Sequence, residues 1–199
     1  EKALADLLGG AAGAAPGPLA DPLAGWSAGD LADGRKAFRA GQYQDAIAVA
    51  LPLARQGDPQ ALVLLGDILA DSGGGLYNPA EAVPLFRLAA SAGNVEAFSR
   101  LGNAYREGIA VEESLPLALE WYHKGAEAGD ASAMLALALL YDSGKEVSPD
   151  KERAREWMEG AADLGDPDAQ RLLAEWILEE GGTEGRVEAL ALLRRSADQ

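Results

Sequence analysis

The side chains that could carry chemistry are few. His123 is the single histidine, and the chain has no cysteine. A histidine that moves protons or binds metal needs a partner, either a nucleophile to activate or a second ligand. No serine, cysteine or second histidine is placed to fill that role. His123 follows Trp121–Tyr122 in a helical stretch, which predicts a solvated surface histidine. Without cysteine there are no disulfides, thiolate nucleophiles, iron–sulfur clusters or cysteine zinc sites. The adjacent pairs Glu112–Glu113 and Glu179–Glu180 do not act together, because neighbouring helical residues face different ways. No EF-hand spacing of oxygen ligands is present. Gly73–Gly75 lacks the Gly-Lys-Ser/Thr of a phosphate loop and reads as a flexible elbow. The sequence therefore predicts no catalytic residue, no metal site and no cofactor.

Composition narrows the field further. The chain has 199 residues, 48% of them hydrophobic, enough for one or two domains with a core. It carries 17 basic and 32 acidic residues, for a net charge of −15. Such a field repels phosphate backbones and anionic lipid, so nucleic acid is not an expected partner. The charge is uneven: residues 1–56 hold 5 basic and 6 acidic side chains, and residues 57–199 hold 12 and 26. No apolar run of transmembrane length is encoded. The chain begins at Glu1, and any signal peptide is expected ahead of it.

The elements that must position these residues follow from an internal repeat. Gly57, Gly93, Gly129 and Gly165 recur every 36 residues. Asp58, Asn94, Asp130 and Asp166 come next. Ala61, Ala97, Ala133 and Ala169 stand at offset +4 from the glycine, and Leu65, Leu101, Leu137 and Leu173 at +8. A small residue follows directly: Gly66, Gly102, Ala138 or Ala174. Leu69, Tyr105, Tyr141 and Ile177 complete one stripe of a 3.6-residue helix. The glycine suits a left-handed helix end, and the Asp or Asn suits the cap of the next helix. Pro59 and Pro167 suit its first turn. First helices are expected over roughly 59–71, 95–107, 131–143 and 167–180. Second helices are expected from about 79, 115, 150 and 185. They are anchored by Ala82, Ala118, Ala154 and Ala189 and by the bulky pairs Leu85–Phe86, Trp121–Tyr122, Trp157–Met158 and Leu192–Leu193. Trp121 and Trp157 share an offset and are expected to fill the core, whereas Trp176 and Trp26 lie outside that register. One hairpin cannot bury both faces alone, so the copies must stack.

These residues resemble the Sel-one-like repeats, a branch of the tetratricopeptide-related α/α solenoids. The copy from Gly93 fits best, with Leu101–Gly102, Tyr105, Ala118 and Trp121–Tyr122. The resemblance covers residues 57–199. It implies an all-α, right-handed α/α solenoid of stacked helix-turn-helix repeats, with copies at 57–92, 93–128, 129–164 and 165–199. Residues 30–56, with Gly41, Tyr43 and Ala46, resemble a tetratricopeptide hairpin capping the stack. Residues 1–29 are rich in Ala, Gly and Pro and read as an extended or flexible segment that is either a frayed tail or a strap on the solenoid. Cysteine-rich relatives linked to β-lactam binding depend on a disulfide in each repeat, so that analogy does not extend here.

The resemblance also implies a concave groove lined by first helices, at offsets +3, +6, +10 and +13. In the third copy Leu135 and Leu139 lie one turn apart, rimmed by Asn103, Arg106, Asp142, Arg171 and Glu175. This set would take an apolar anchor from a peptide or helix, unless neighbouring helices or the N-terminal segment cover the leucines. The expected function is a non-enzymatic adaptor or scaffold that binds a partner polypeptide. Bacterial members of the resembled family often act in envelope assembly, secretion or signalling, which implies a periplasmic or envelope setting, with the cytoplasm as the alternative. Two other functions stand beside it: a permanent subunit of a larger, membrane-associated complex, and a hydrolase or small-ligand binder.

Overall fold

Each repeat begins where one helix stops and the next starts within two residues. The computed structural model, which describes residues 30–180 and 182–197, shows how. Gly57, Gly93, Gly129 and Gly165 adopt φ of +82°, +84°, +88° and +94°, the left-handed region open to glycine without strain. The following amide then reaches back five residues. Asp58 donates to the Leu53 carbonyl at 3.0 Å, Asn94 to Ala89 at 2.9 Å, Asp130 to Gly125 at 2.8 Å and Asp166 to Ala161 at 3.1 Å. These bonds satisfy carbonyls that a helix end would leave orphaned. The same Asp or Asn caps the next helix. Asp58 accepts from the Gln60 and Ala61 amides, Asn94 from Ala97, Asp130 from Ser132 and Ala133, and Asp166 from Ala169.

The described residues contain ten α-helices and no strand. They are α1 (Asp30–Arg39), α2 (Tyr43–Arg55), α3 (Pro59–Ala70), α4 (Pro79–Ser91), α5 (Glu96–Glu107), α6 (Leu115–Glu127), α7 (Ala131–Ser143), α8 (Lys151–Asp163), α9 (Pro167–Glu180) and α10 (Thr183–Ala197). The last helix starts two residues earlier than the repeat spacing predicts. Gly185 consequently lies inside α10, where a side chain would press on Ile177 of α9. The expected strap over residues 1–29, Trp26 included, lies outside the described residues.

The described helices group into two compact units, one of residues 30–97 with 109–111 and one of residues 98–108 with 112–180 and 182–197. In the first unit α1 and α2 form a hairpin through Gly41, at φ +73°. Gly34 of α1 lies against Val49 of α2 and Leu64 of α3. Arg35 of α1 makes a two-pronged ion pair with Glu96 at 3.1–3.2 Å. The loop Gly73–Gly75 is pinned rather than free. Tyr43 donates to Asp71 at 2.8 Å, Asp71 accepts the Gly73 amide at 2.8 Å, and the Tyr43 ring occupies the space beside Gly74. The hydrogen bond to Asp71 holds the Tyr43 phenol above its usual range, and the Gly73 amide holds the Asp71 carboxyl below its own.

The second unit has two adjoining cores. Ala118, Tyr122 and Ala126 of α6 meet Ala133, Leu137 and Leu140 of α7. Met158, Ala161 and Ala162 of α8 meet Ala169, Leu173, Ala174 and Ile177 of α9, with Ala189 and Leu192 of α10. In the hairpins α3–α4 and α5–α6 the glycine after the repeat leucine faces the aromatic ring of the second helix. A Cβ on Gly66 would fall within the Phe86 ring, and one on Gly102 within the Tyr122 ring. Where the second helix carries Met158 or Leu193 instead of a ring, the first carries Ala138 or Ala174. Ring goes with glycine and aliphatic chain with alanine, as close packing at constant helix spacing requires.

Tyr122 is fully buried. Trp121 and Trp157 are half-buried rather than fully buried; Trp157 packs against both cores of this unit from their edge. Successive helical residues point about 100° apart, so in these two pairs the second members, Tyr122 and Met158, are the fully buried ones. Trp121 stacks on Phe98 at 6.1 Å, with the Lys124 ammonium 4.7 Å from its centroid. Trp157 receives the edge of His123 at 6.0 Å. His123 is accordingly half-buried against an aromatic ring, not fully solvated.

Candidate partner-binding groove

The first helices differ in which of their offsets reach solvent. The offsets chosen from the sequence divide on this point. Offset +6 turns inward: Val63 and Ser99 are each 1% exposed. Leu135, at the same offset, is half-buried and packs on the core formed by α8, α9 and α10. It is therefore not an open groove leucine. Leu139 is 41% exposed on α7, and Leu178 is 45% exposed on α9. They stand at offsets +10 and +13 of successive repeats, on one side of the first-helix row.

The polar residues expected at the rim are held by neighbours. Asn103 accepts the Tyr122 hydroxyl at 2.6 Å, so its amide positions a core ring. Burial pushes the Tyr122 phenol up to about 12, with nearby Arg106 opposing the shift and Glu107 and Glu146 adding to it. Arg106 pairs with Glu107 at 3.2 Å. Asp142 accepts from Lys151 of α8 at 2.6 Å. Arg171 lies between Glu175 at 2.7 Å and Asp168 at 3.7 Å, an exposed ladder along α9. Pairs this exposed contribute little to stability, so their charges remain available to a partner.

Sequence reasoning missed Trp176 as a lining residue. With Asp142, Lys151, Glu152, Arg155 and Glu179 it borders an open depression of about 560 Å³ between α7, α8 and α9. The available signal was its offset, +11, where Ile68, Ala104 and Leu140 are buried. An indole there is too large to disappear between the helices. Among the described residues no three His, Cys, Asp or Glu side chains come together as a metal site. None of the described helices is long and apolar enough to cross a membrane.

The Sel1 repeat profile matches the chain four times, over residues 59–94, 96–130, 131–166 and 167–199. The chain belongs to the Sel1 repeat family. It is thus an all-α helical-repeat solenoid. Sel1 repeat proteins typically mediate protein–protein interaction and are generally non-enzymatic. Among solved structures, a Sel1 repeat protein from Oxalobacter formigenes is 25% identical with a TM-score of 0.65, over 84% of this chain and 69% of that one. A protective antigen present in uropathogenic Escherichia coli strains, displaying an SLR fold, is 29% identical with a TM-score of 0.61. That match covers 84% of this chain but 37% of the antigen. An immunity protein from Pseudomonas aeruginosa, 20% identical with a TM-score of 0.61 over 85% of this chain and 67% of that one, shares the fold. No curated protein matches the chain.

Proposed function

We propose that this Sel1 repeat protein is a non-enzymatic adaptor that holds a partner polypeptide against its row of first helices. The observation that carries the reading is the exposure of Leu139 and Leu178 on α7 and α9, at 41% and 45%. Offsets +10 and +13 hold the polar Asn103 and Arg106 in the second copy. Two apolar side chains amid charged ones suit an apolar anchor with a polar surround. Asn103, Arg106, Asp142, Arg171 and Glu175 form the rim in this reading, and Leu135 supports from beneath. Residues 30–56 serve as the N-terminal cap, and 57–92, 93–128, 129–164 and 165–199 as the repeats. The acidic surplus favours a partner with basic contacts and an association that weakens with salt. A bacterial envelope or periplasmic setting belongs to the same proposal. Its support is the likeness to bacterial proteins, one of them described as a protective antigen.

Affinity capture with the natural chain and with a Leu139→Ser/Leu178→Ser variant tests the adaptor reading. Loss of the same specific partner from the variant, at unchanged melting temperature, is the expected result. Equal recovery of every captured protein by both chains contradicts it.

A further inference from the structure

The depression between α7, α8 and α9 combines an unused aromatic face with an excess of negative charge. Trp176 stands at repeat offset +11, where Ile68, Ala104 and Leu140 are buried. Its indole is half-buried and borders the depression. Phe98 stacks on Trp121, and His123 meets Trp157, but no ring or cation among the described residues lies against Trp176. Both cations at the border are engaged. Lys151 lies 2.6 Å from Asp142, and Arg155 lies 3.5 Å from Glu159. The exposed carboxylates of Glu152 and Glu179 form no ion pair among the described residues. Four carboxylates thus stand around two cations, and the residual charge is negative. Glu179 shares a helix face with Trp176, three residues before it on α9, and Glu152 comes from α8. The depression lies within the stack, since α10 packs on α9 beyond it.

We infer that this depression takes an arginine side chain of a partner polypeptide, its guanidinium stacked on the Trp176 indole and its N–H groups donating to Glu179 and Glu152. A guanidinium is planar, permanently charged and weakly hydrated, so it can lie on an indole face while its edge donors reach carboxylates. An ammonium is compact and strongly hydrated, and it offers no flat face to the ring. A free amino acid would need a cation for its α-carboxylate, and Lys151 and Arg155 are already engaged by Asp142 and Glu159. Charge complementarity extends beyond the depression, because residues 57–199 hold 12 basic and 26 acidic side chains. The place also fits. Asp142 is one turn past Leu139 on α7, and Glu179 follows Leu178 on α9. The inference deepens the adaptor reading and rests on it for the polypeptide, but not for the guanidinium.

The probe is Nα-acetyl-arginine amide, titrated at constant chloride into the isotope-labelled whole chain. The NMR signal of the Trp176 indole N–H is followed, identified by its absence from a Trp176→Phe chain. That signal should shift and saturate while those of Trp121 and Trp157 stay in place. The citrulline analogue, which keeps the shape without the charge, should shift nothing, and the lysine analogue should bind more weakly. Glu179→Gln should weaken arginine binding about threefold at an unchanged melting temperature, since Glu179 is exposed. A response that does not saturate, that citrulline reproduces or that all the tryptophans share overturns the inference. So does lysine binding as tightly as arginine, or unaltered affinity in the Glu179→Gln chain. Tighter binding of free arginine than of the capped form also overturns it, because the occupant would then be a small molecule. A positive titration with failed partner capture counts against the adaptor reading alone, and a negative titration with successful capture counts against this inference alone.

Discussion

The Asp130 carboxylate accepts the Ser99 backbone amide at 3.1 Å, which ties the start of α5 to the start of α7. Its other oxygen caps α7 through the Ser132 and Ala133 amides at 3.0 and 3.2 Å. Asp130 is 5% exposed and Ser99 1%. One buried carboxylate therefore satisfies donors at two helix N-termini, where the helix dipoles also favour negative charge. The repeat turn is thereby also a joint between consecutive first helices.

Asp130→Ala should cost about 3 kcal/mol, because buried amides lose their acceptor at both helix ends. Asp130→Asn should recover part of this, since an amide offers one acceptor oxygen where the carboxylate offers two. Urea unfolding of the three chains checks the order, and an alanine variant as stable as the natural chain refutes the joint.

The pairing of glycine with aromatic ring predicts a coupled substitution. Gly102→Ala drives a methyl group into the Tyr122 ring and should destabilise the fold by about 2 kcal/mol. In a Tyr122→Met background the same change should cost much less, because Ala138 and Met158 hold the equivalent offsets in the next copy and are both buried in one core. A double-mutant cycle reads the coupling directly. Additive costs would show that the two side chains do not share the seam.

Leu135 and Leu139 should separate in stability measurements. Leu135→Ser removes a side chain packed on the core and should cost about 2–3 kcal/mol. Leu139→Ser should change stability by less than about 0.5 kcal/mol. Thermal melts of the two variants decide, and equal losses would place Leu139 in the core as well.

Tyr122 predicts loss of stability in alkali. Its phenol is raised from 10.0 to about 12 in the folded chain. A raised pKa contributes stability that is complete below pH 10 and disappears as the pH rises through 12, because the unfolded chain ionises first. The natural chain should therefore lose stability across this interval. Tyr122→Phe should be less stable at neutral pH, for want of the bond to Asn103, yet show a flatter profile from 10 to 12. Parallel profiles for the two chains would assign the alkaline loss to other groups.

Most of the fold is legible in the sequence because its signals are local. Gly57, Gly93, Gly129 and Gly165 need the left-handed region, and the Asp or Asn after each needs only the next two or three amides. These features recur at fixed spacing whatever surrounds them. The groove is less legible because it depends on which neighbours cover each side chain. Val63, Ser99 and Leu135 share an offset with the exposed Arg171, yet the first two are fully buried and the third half-buried. Offset alone gives a direction from the helix axis and not the depth of the helix packed against it. Asn103 reads as a rim residue, and no spacing names its second role, the bond its amide oxygen accepts from the Tyr122 hydroxyl, nineteen residues away. The half-buried state of Trp121 and Trp157 depends on partners on other helices, Phe98 and His123, which no periodicity names.

The adaptor reading is tested most directly by site-specific photocrosslinking in living cells, with a photoreactive residue placed in turn at positions 139, 178, 117 and 164. All four natural residues are leucines at least 40% exposed, but only the first two lie on first helices. The account predicts one recurrent protein adduct from positions 139 and 178 and none from 117 or 164. Adducts from 117 and 164 with none from 139 and 178 would contradict it.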